Sequence, residues 1–179
     1  MSSDIWIFGY GSLMWNPGFP FIESELAYLR GYHRAFCIES HRYRGTPERP
    51  GLVLGLDRGG SCRGVAFHVA AADAPGVLAI VDARELVTGV YLRRPVAIEV
   101  GEATHRRMAT AWTYVTDRKH VQYVGKLELA HKARMIQGAC GNSGTNRDYL
   151  DNTLCHLNEL GISDPYLERL KAAVDAACP

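Results

Sequence analysis

The sequence predicts a single α+β domain, and three observations support this. Short segments rich in β-branched and aromatic residues, bounded by glycine and proline, occupy most of the first half of the chain. One helical pattern interrupts these segments, and further helical patterns fill the last third. The chain of 179 residues has the size of one domain and contains no repeat, low-complexity segment or linker. Runs of strands followed by runs of helices are typical of α+β proteins.

The first predicted strands favour a largely antiparallel sheet. Their apolar segments span residues 5–8, 35–40, 51–56 and 62–69. Asp57-Arg58-Gly59-Gly60 separates the last two segments, and glycine supplies the positive φ that tight hairpin turns require. The sequence therefore predicts a β-hairpin that turns at residues 57–60.

A helix is predicted to interrupt the strands from Asp73 to about Gly89. Aspartate is a good N-cap, Pro75 suits a first helical turn, and apolar residues follow at spacings of three and four. Strand character returns at residues 95–100 and 108–115. Further helices are predicted at residues 127–139, 148–160 and 165–176, the last with Ser163 as its cap and Pro165 near its first turn.

The charge balance argues against nucleic acid and membrane partners. Lys and Arg number 20 against 19 Asp and Glu, so the formal net charge of +1 gives no broad attraction for either. A local basic cluster is explained either by a solvated loop or by a pocket for a small anion; it contains His33, Arg34, His41, Arg42, Arg44 and Arg49. Because neither a signal peptide nor an apolar run of ~20 residues is present, we expect a cytoplasmic protein.

The cysteine and histidine spacings argue against metal sites and disulfides. The 5 cysteines are widely spaced and include no CxxC pair, which favours reduced thiols. His41 and His68 are isolated, and the chain has no His-x-x-x-His pattern. We therefore expect no metal site.

The segment Gly9-Tyr10-Gly11-Ser12-Leu13 follows the first predicted strand. Two closely spaced glycines allow successive N–H groups to converge on one oxygen. The segment lacks the lysine of a Walker A loop, the third glycine of a dinucleotide-binding fingerprint and the Gly-x-Ser-x-Gly elbow of hydrolases. By itself it is explained either by a strand-ending turn or by a ligand cradle.

Glu85 lies near the end of the inserted helix, between Arg84 and Leu86. A carboxylate among apolar residues is partly desolvated, which raises its pKa towards the range useful for proton transfer. A surface glutamate paired with Arg84 explains the same pattern. The position in the helix does not decide between these interpretations.

Together these segments resemble the ChaC family of γ-glutamylcyclotransferases from Ile5 to about Leu170. Each segment is weak alone, but their order and spacing are specific. They are FGYGSLMWNP (8–17), RGTP (44–47), PGLVL (50–54), RE (84–85), TGVY (88–91), YVG (123–125) and GNSGTNRDYL (141–150).

The resemblance implies a compact β-barrel with peripheral helices and a γ-glutamyl pocket. The loop formed by Tyr10, Gly11, Ser12 and Leu13 is expected to floor this pocket, and Glu85 is expected to be the catalytic acid/base. The implied activity is that of a glutathione-specific γ-glutamylcyclotransferase, which needs no cofactor. The substrate's own amine attacks its γ-carbonyl and releases 5-oxoproline and cysteinylglycine.

Other residues are expected to complete the pocket. Arg42 and Arg44 are candidate partners for the glycyl carboxylate, because a guanidinium forms paired hydrogen bonds with carboxylates. Tyr123 and Tyr149 are candidates for hydroxyl groups at the pocket wall. A structural role explains each of these four residues equally well.

Two alternative functions use the same features. The loop and Glu85 would also serve a cyclotransferase acting on another γ-glutamyl amino acid or amine. Outside the enzymes, the chain would be a non-catalytic binding or sensor domain, which the presence of Glu85 disfavours. No interface stripe is visible in the sequence, so we expect a monomer.

Overall fold

The computed structural model describes residues 3–101 and 105–177. The chain divides into two compact units. The first unit contains the residues up to Arg34 and Leu56–Asp117, and the second contains Ala35–Gly55 and the residues from Arg118 onwards. That the chain folds as a single domain stays a prediction.

Five strands form a closed barrel in the order β1-β3-β2-β4-β5. Their bounds are Ile5–Gly9 (β1), Glu23–Ser40 (β2), Gly51–Val69 (β3), Tyr91–Val100 (β4) and Arg107–Thr116 (β5). β1 pairs with β3, β2 with β4 and β4 with β5 in antiparallel fashion, whereas β1 and β5 pair in parallel. The predicted α+β fold with a mostly antiparallel barrel is confirmed.

The first unit buries large apolar side chains from several strands. Ile7, Phe8, Leu29, Ile98 and Tyr114 are all fully buried. Helix α1, Ala74–Glu85, follows β3 and carries the Arg84-Glu85 pair at its C-terminal end. Burial of the large core side chains contributes roughly 1.5–3 kcal/mol each to the stability of the barrel.

The second unit contains three helices and a short two-stranded sheet. The helices are α2 (Leu129–Gly138), α3 (Asn146–Glu159) and α4 (Pro165–Ala176), and the sheet pairs β6 (Cys140–Gly141) with β7 (Gly144–Thr145). The buried side-chain amide of Asn146 forms two hydrogen bonds with the backbone of Leu52: Nδ2 donates to the carbonyl at 2.7 Å and Oδ1 accepts from the N–H at 2.6 Å. An asparagine thus takes the place of a neighbouring strand.

Three local predictions are wrong. The chain does not reverse at residues 57–60: the strand β3 continues through them, although Gly59 and Gly60 adopt positive φ (100° and 67°). β2 begins at Glu23, twelve residues before the predicted position, since barrel pairing extends a segment whose own composition is mixed. The cap of α4 is Asp164, whose side chain accepts from the N–H of Leu167 at 3.1 Å, and not Ser163.

Several predicted boundaries differ by a few residues. α1 ends at Glu85, before the predicted end near Gly89, and Asp73 takes the N-cap position without a capping hydrogen bond from its side chain. α4 has the predicted bounds. Among the described residues, none of the helices is both long and apolar enough to cross a membrane.

Candidate functional site

The loop after β1 is a tight turn that packs closely against Gly9, the last residue of that strand. A Cβ atom on Gly9 would lie 3.1 Å from Cβ of Leu13, closer than most real contacts of this kind. Ser12–Met14 forms a short 3₁₀ helix, in which the N–H of Met14 donates to the Gly11 carbonyl at 2.9 Å. Neither Gly9 nor Gly11 has positive φ, so close packing explains Gly9 better than backbone handedness does.

The loop is largely buried. Tyr10, Gly11 and Leu13 are buried, and Ser12 is half-buried. Its backbone is held from one side by Arg34, whose Nε donates to the Tyr10 carbonyl at 2.5 Å. Arg34 is only 3% exposed, so the sequence-based interpretation of this residue as part of a solvated basic cluster is wrong.

Glu85 is the last residue of α1 and its side chain is 18% exposed. Burial raises the pKa of Glu85 above its ordinary value, and the nearby guanidinium of Arg84 partly opposes this shift. In the part of the chain that the structure describes, its carboxylate has one polar partner, Arg84 Nε at 3.4 Å from Oε1. The group is therefore desolvated yet retains free acceptor capacity.

Arg84 joins Glu85 to the loop after β1. Its Nη2 donates to Oγ of Ser12 at 2.7 Å, and its Nη1 donates to the carbonyl of Asn16 at 2.7 Å. One guanidinium thus contacts the 3₁₀ turn, the segment that follows it and the carboxylate of Glu85. The planar arrangement of guanidinium donors suits such multiple contacts.

A second set of polar contacts anchors α1 one turn before Glu85. Oδ1 of Asp82 accepts from the Tyr114 hydroxyl at 2.7 Å, and Oδ2 accepts from Nη1 of Arg93 at 2.6 Å. Burial, aided by the hydrogen bond to Asp82, raises the pKa of Tyr114 well above its ordinary value. Sequence reasoning missed these anchoring residues, because no local pattern links α1 to β4 and β5.

Four candidate residues lie in the second unit. Nη1 of Arg44 donates to the carbonyls of Ser143 (2.5 Å) and Thr145 (3.3 Å), and its guanidinium lies 5.0 Å from the centre of the Tyr149 ring. The structure therefore brings Arg44 and Tyr149 together beside the β6–β7 sheet.

Arg42 and Tyr123 have other neighbours. The exposed guanidinium of Arg42 lies 5.7 Å from the ring centre of Tyr43. Tyr123 forms an isolated bridge with Ile38, and its ring centre lies 6.0 Å from the guanidinium of Arg118. These contacts explain the local conformation of both residues without assigning a ligand to either.

Metal-ligating groups do not converge anywhere in residues 3–101 and 105–177: no cluster of three or more His, Cys, Asp or Glu side chains occurs there. Cys37 and Cys62 are buried free thiols, whereas Cys140 and Cys155 are exposed free thiols. Cys178 lies outside the described residues.

Comparison with known proteins gives consistent matches over nearly the whole chain. The family model described as ChaC-like protein matches residues 5–177. A glutathione-specific γ-glutamylcyclotransferase of Escherichia coli K12 is 36% identical over 170 residues, which cover 95% of this chain and 72% of that protein. Glutathione-specific γ-glutamylcyclotransferase 1 of Danio rerio is 34% identical over 176 residues, with 96% and 89% coverage.

A solved structure extends the likeness to the fold. The crystal structure of a γ-glutamylcyclotransferase specific to glutathione from yeast aligns with a TM-score of 0.85, covering 97% of this chain and 96% of that chain at 22% identity. At this level of identity the match supports the fold alone. The family model and the relatives above 30% identity support more, and the chain belongs to the family of ChaC-like proteins.

Proposed function

We propose that this chain is a glutathione-specific γ-glutamylcyclotransferase, which degrades glutathione to 5-oxoproline and cysteinylglycine. The bacterial and zebrafish relatives carry this activity in their names. The observation that carries the proposal within the structure is the desolvated carboxyl of Glu85, joined through Arg84 to Ser12 of the loop after β1.

The reaction needs no external nucleophile. The α-amine of the γ-glutamyl group attacks its own γ-carbonyl carbon, a new C–N bond closes a five-membered lactam, and the amide bond to cysteine breaks. The α-ammonium loses two protons in becoming the lactam N–H: one passes to the departing amide nitrogen, which leaves as an amine, and the other is released to solvent. Because nucleophile and electrophile belong to one molecule, holding them in a bent geometry replaces a bimolecular encounter and lowers the barrier by several kcal/mol.

Proton transfer is the main task left to the protein. The pKa of an α-amine is near 8 and that of an ordinary glutamate is near 4.3. Moving a proton from the α-ammonium to an ordinary glutamate therefore costs about 5 kcal/mol. Burial raises the pKa of Glu85 and narrows this gap. In our proposal Glu85 takes a proton from the α-ammonium and returns it to the departing amine.

In this proposal the loop after β1 binds an oxygen atom of the substrate. Tyr10, Gly11, Ser12 and Leu13 would hold an oxygen of the γ-glutamyl group, and the burial of Tyr10, Gly11 and Leu13 limits the access of water to it. The Arg84 contacts with Ser12 and Asn16 support a fixed distance between this loop and Glu85. Both parts of the site belong to the first unit.

Four further residues are proposed to bind the glycyl end of glutathione. We propose Arg42 and Arg44 as partners of its carboxylate and Tyr123 and Tyr149 as hydroxyl donors. The contacts of Arg44 with Ser143 and Thr145 use Nη1, which leaves the N–H groups on its other nitrogens for a ligand. We further propose that the protein acts in the cytoplasm, as a monomer and as a single domain.

Product analysis tests the proposed function. Purified protein incubated with glutathione should release 5-oxoproline and cysteinylglycine in equal amounts, and a Glu85→Gln preparation made in parallel controls for contaminating enzymes. Release of free glutamate instead of 5-oxoproline would indicate hydrolysis and contradict the proposal. Faster turnover of γ-glutamyl-alanine than of glutathione would assign the activity to another γ-glutamyl substrate.

A further inference from the structure

Arg34 is a buried arginine whose side chain forms a hydrogen bond with the backbone of the loop after β1. Arg34 is 3% exposed. Its Nε donates to the Tyr10 carbonyl at 2.5 Å, and its Nη2 donates to the Arg63 carbonyl at 2.7 Å. Burying a charge without partners costs far more than burying an apolar side chain of the same size. The position of Arg34 therefore has to be explained by what these contacts achieve.

The contact with Tyr10 determines the direction of the next N–H group. The carbonyl of Tyr10 and the N–H of Gly11 belong to one peptide group, and the described part of the chain contains no cis peptide bond. In a planar trans peptide these two groups point in opposite directions. Arg34 holds the carbonyl on its own side of the loop and so directs the Gly11 N–H to the other side.

The Gly11 N–H is left available for a ligand. Gly11 is buried, and its N–H donates to no acceptor among residues 3–101 and 105–177. A buried N–H without an acceptor costs about 1–3 kcal/mol, so such groups are rare in structural turns. The charged donor on the carbonyl side also polarises the peptide, which makes this N–H a stronger donor.

We propose that Arg34 is a positioning residue for the cyclotransferase reaction, which orients the Tyr10–Gly11 peptide so that the Gly11 N–H binds an oxygen of the γ-glutamyl substrate. This inference rests on the proposed function. Arg34 itself contacts the substrate in no step; it acts through the peptide.

Arg34→Met tests the inference, because methionine keeps much of the packing volume but removes every donor. We expect kcat/KM for glutathione to fall about 10²-fold, the order of loss that a misplaced binding group causes. Arg30→Met is the matched control. It removes an arginine from the same strand, but the Arg30 side chain is 70% exposed and pairs with Glu99, so kcat/KM should stay at the parental value.

A spectroscopic readout separates positioning from a general structural defect. The protein has 18 glycines, so glycine-selective ¹⁵N labelling gives a simple amide spectrum in which Gly11→Ala identifies the Gly11 signal. Addition of 5-oxoproline should shift the Gly11 amide of the parent. In Arg34→Met that shift should be lost while the Gly161 amide is unchanged. A parental Gly11 response together with parental kcat/KM would overturn the inference.

Arg34→Lys keeps the test decisive if Arg34→Met does not fold. Lysine retains the buried charge but has one nitrogen, whereas Arg34 uses two nitrogens for the Tyr10 and Arg63 carbonyls. We expect a reduced Gly11 response and reduced kcat/KM, and parental values of both would overturn the inference. Failure of the proposed function can be distinguished from failure of this inference, because the parent protein itself would then release no 5-oxoproline from glutathione.

Discussion

Arg84 donates a 2.7 Å hydrogen bond from Nη2 to the hydroxyl of Ser12, 72 residues earlier in the chain. The same guanidinium lies beside the carboxylate of Glu85, with Nε 3.4 Å from Oε1. One side chain thus determines both the place of the loop after β1 and part of the electrostatic field at Glu85. These two effects can be separated experimentally.

Arg84→Gln should shift the acidic limb of the kcat/KM profile to higher pH. Glu85 has to be ionised to accept a proton, so activity falls as the pH falls through its pKa. Arg84 lowers that pKa against the larger effect of burial, and removing the charge raises it further. Measuring kcat/KM from pH 5 to 9 checks this.

Arg84→Lys is the matched variant. It keeps the positive charge, so the acidic limb should stay near the parental position, but it loses the paired contacts with Ser12 and Asn16 and should raise KM. An unshifted limb in Arg84→Gln would mean that the Arg84 charge does not act on Glu85.

Glu85→Gln should lose turnover much more than binding. Removing a general acid/base costs about 10²–10⁴-fold, and both proton transfers need this group, so we expect the upper end of that range. Turnover and glutathione affinity are measured on a variant whose melting profile shows it to be folded. Glu159→Gln, which changes an exposed carboxylate at the end of α3, should behave as the parent. Near-normal turnover of Glu85→Gln would remove Glu85 from the mechanism.

Glu85→Gln should also stabilise the protein at neutral and alkaline pH. The pKa of Glu85 is raised in the folded state. Its favourable contribution to the free energy of unfolding is therefore fully present below the unfolded-state pKa, and it is lost as the pH rises through the folded-state pKa. Above that pKa the parent buries a charge that the glutamine variant lacks. The difference in Tm should be largest above pH 7 and vanish towards pH 4. A variant that melts lower than the parent at every pH would contradict this.

Activity should survive exhaustive chelation. The attacking amine belongs to the substrate, so no metal-activated water is required. Turnover of glutathione is compared before and after dialysis against EDTA, with cation-free buffer as the control. Loss of turnover that one divalent cation restores would falsify the metal-independent mechanism.

Asn146→Ala should destabilise the protein by about 2–3 kcal/mol, because it leaves the buried N–H and carbonyl of Leu52 without partners. Asn146 is 0% exposed and makes both hydrogen bonds with its side-chain amide. Denaturant unfolding measures the change, and Asn152→Ala, on the exposed face of α3, should have little effect. Equal stabilities of the two variants would show that the Leu52 contacts contribute little.

The sequence by itself determined the fold class and most strands and helices, and its resemblance to a family proposed Tyr10 to Leu13 and Glu85 as site residues. These features depend on short-range information: β-branched segments, helical spacing, capping residues and motifs whose members are neighbours in the chain. α4 has the predicted bounds because Pro165 and the apolar spacing that follows are local signals. Where one signal permits two structures, prediction failed. Positive φ at Gly59 and Gly60 suits a hairpin turn, yet β3 continues through both residues.

Only the tertiary structure decided which polar groups are buried and what they contact. Arg34 looked like a surface residue of a basic cluster, but its partner Tyr10 is 24 positions away. The contact of Tyr114 with Asp82 spans 32 positions. Barrel closure brings such residues together, and no periodicity within a short window encodes a contact between separate strands and a helix. The anchoring of Glu85 and the orientation of the Gly11 N–H follow from these long-range contacts.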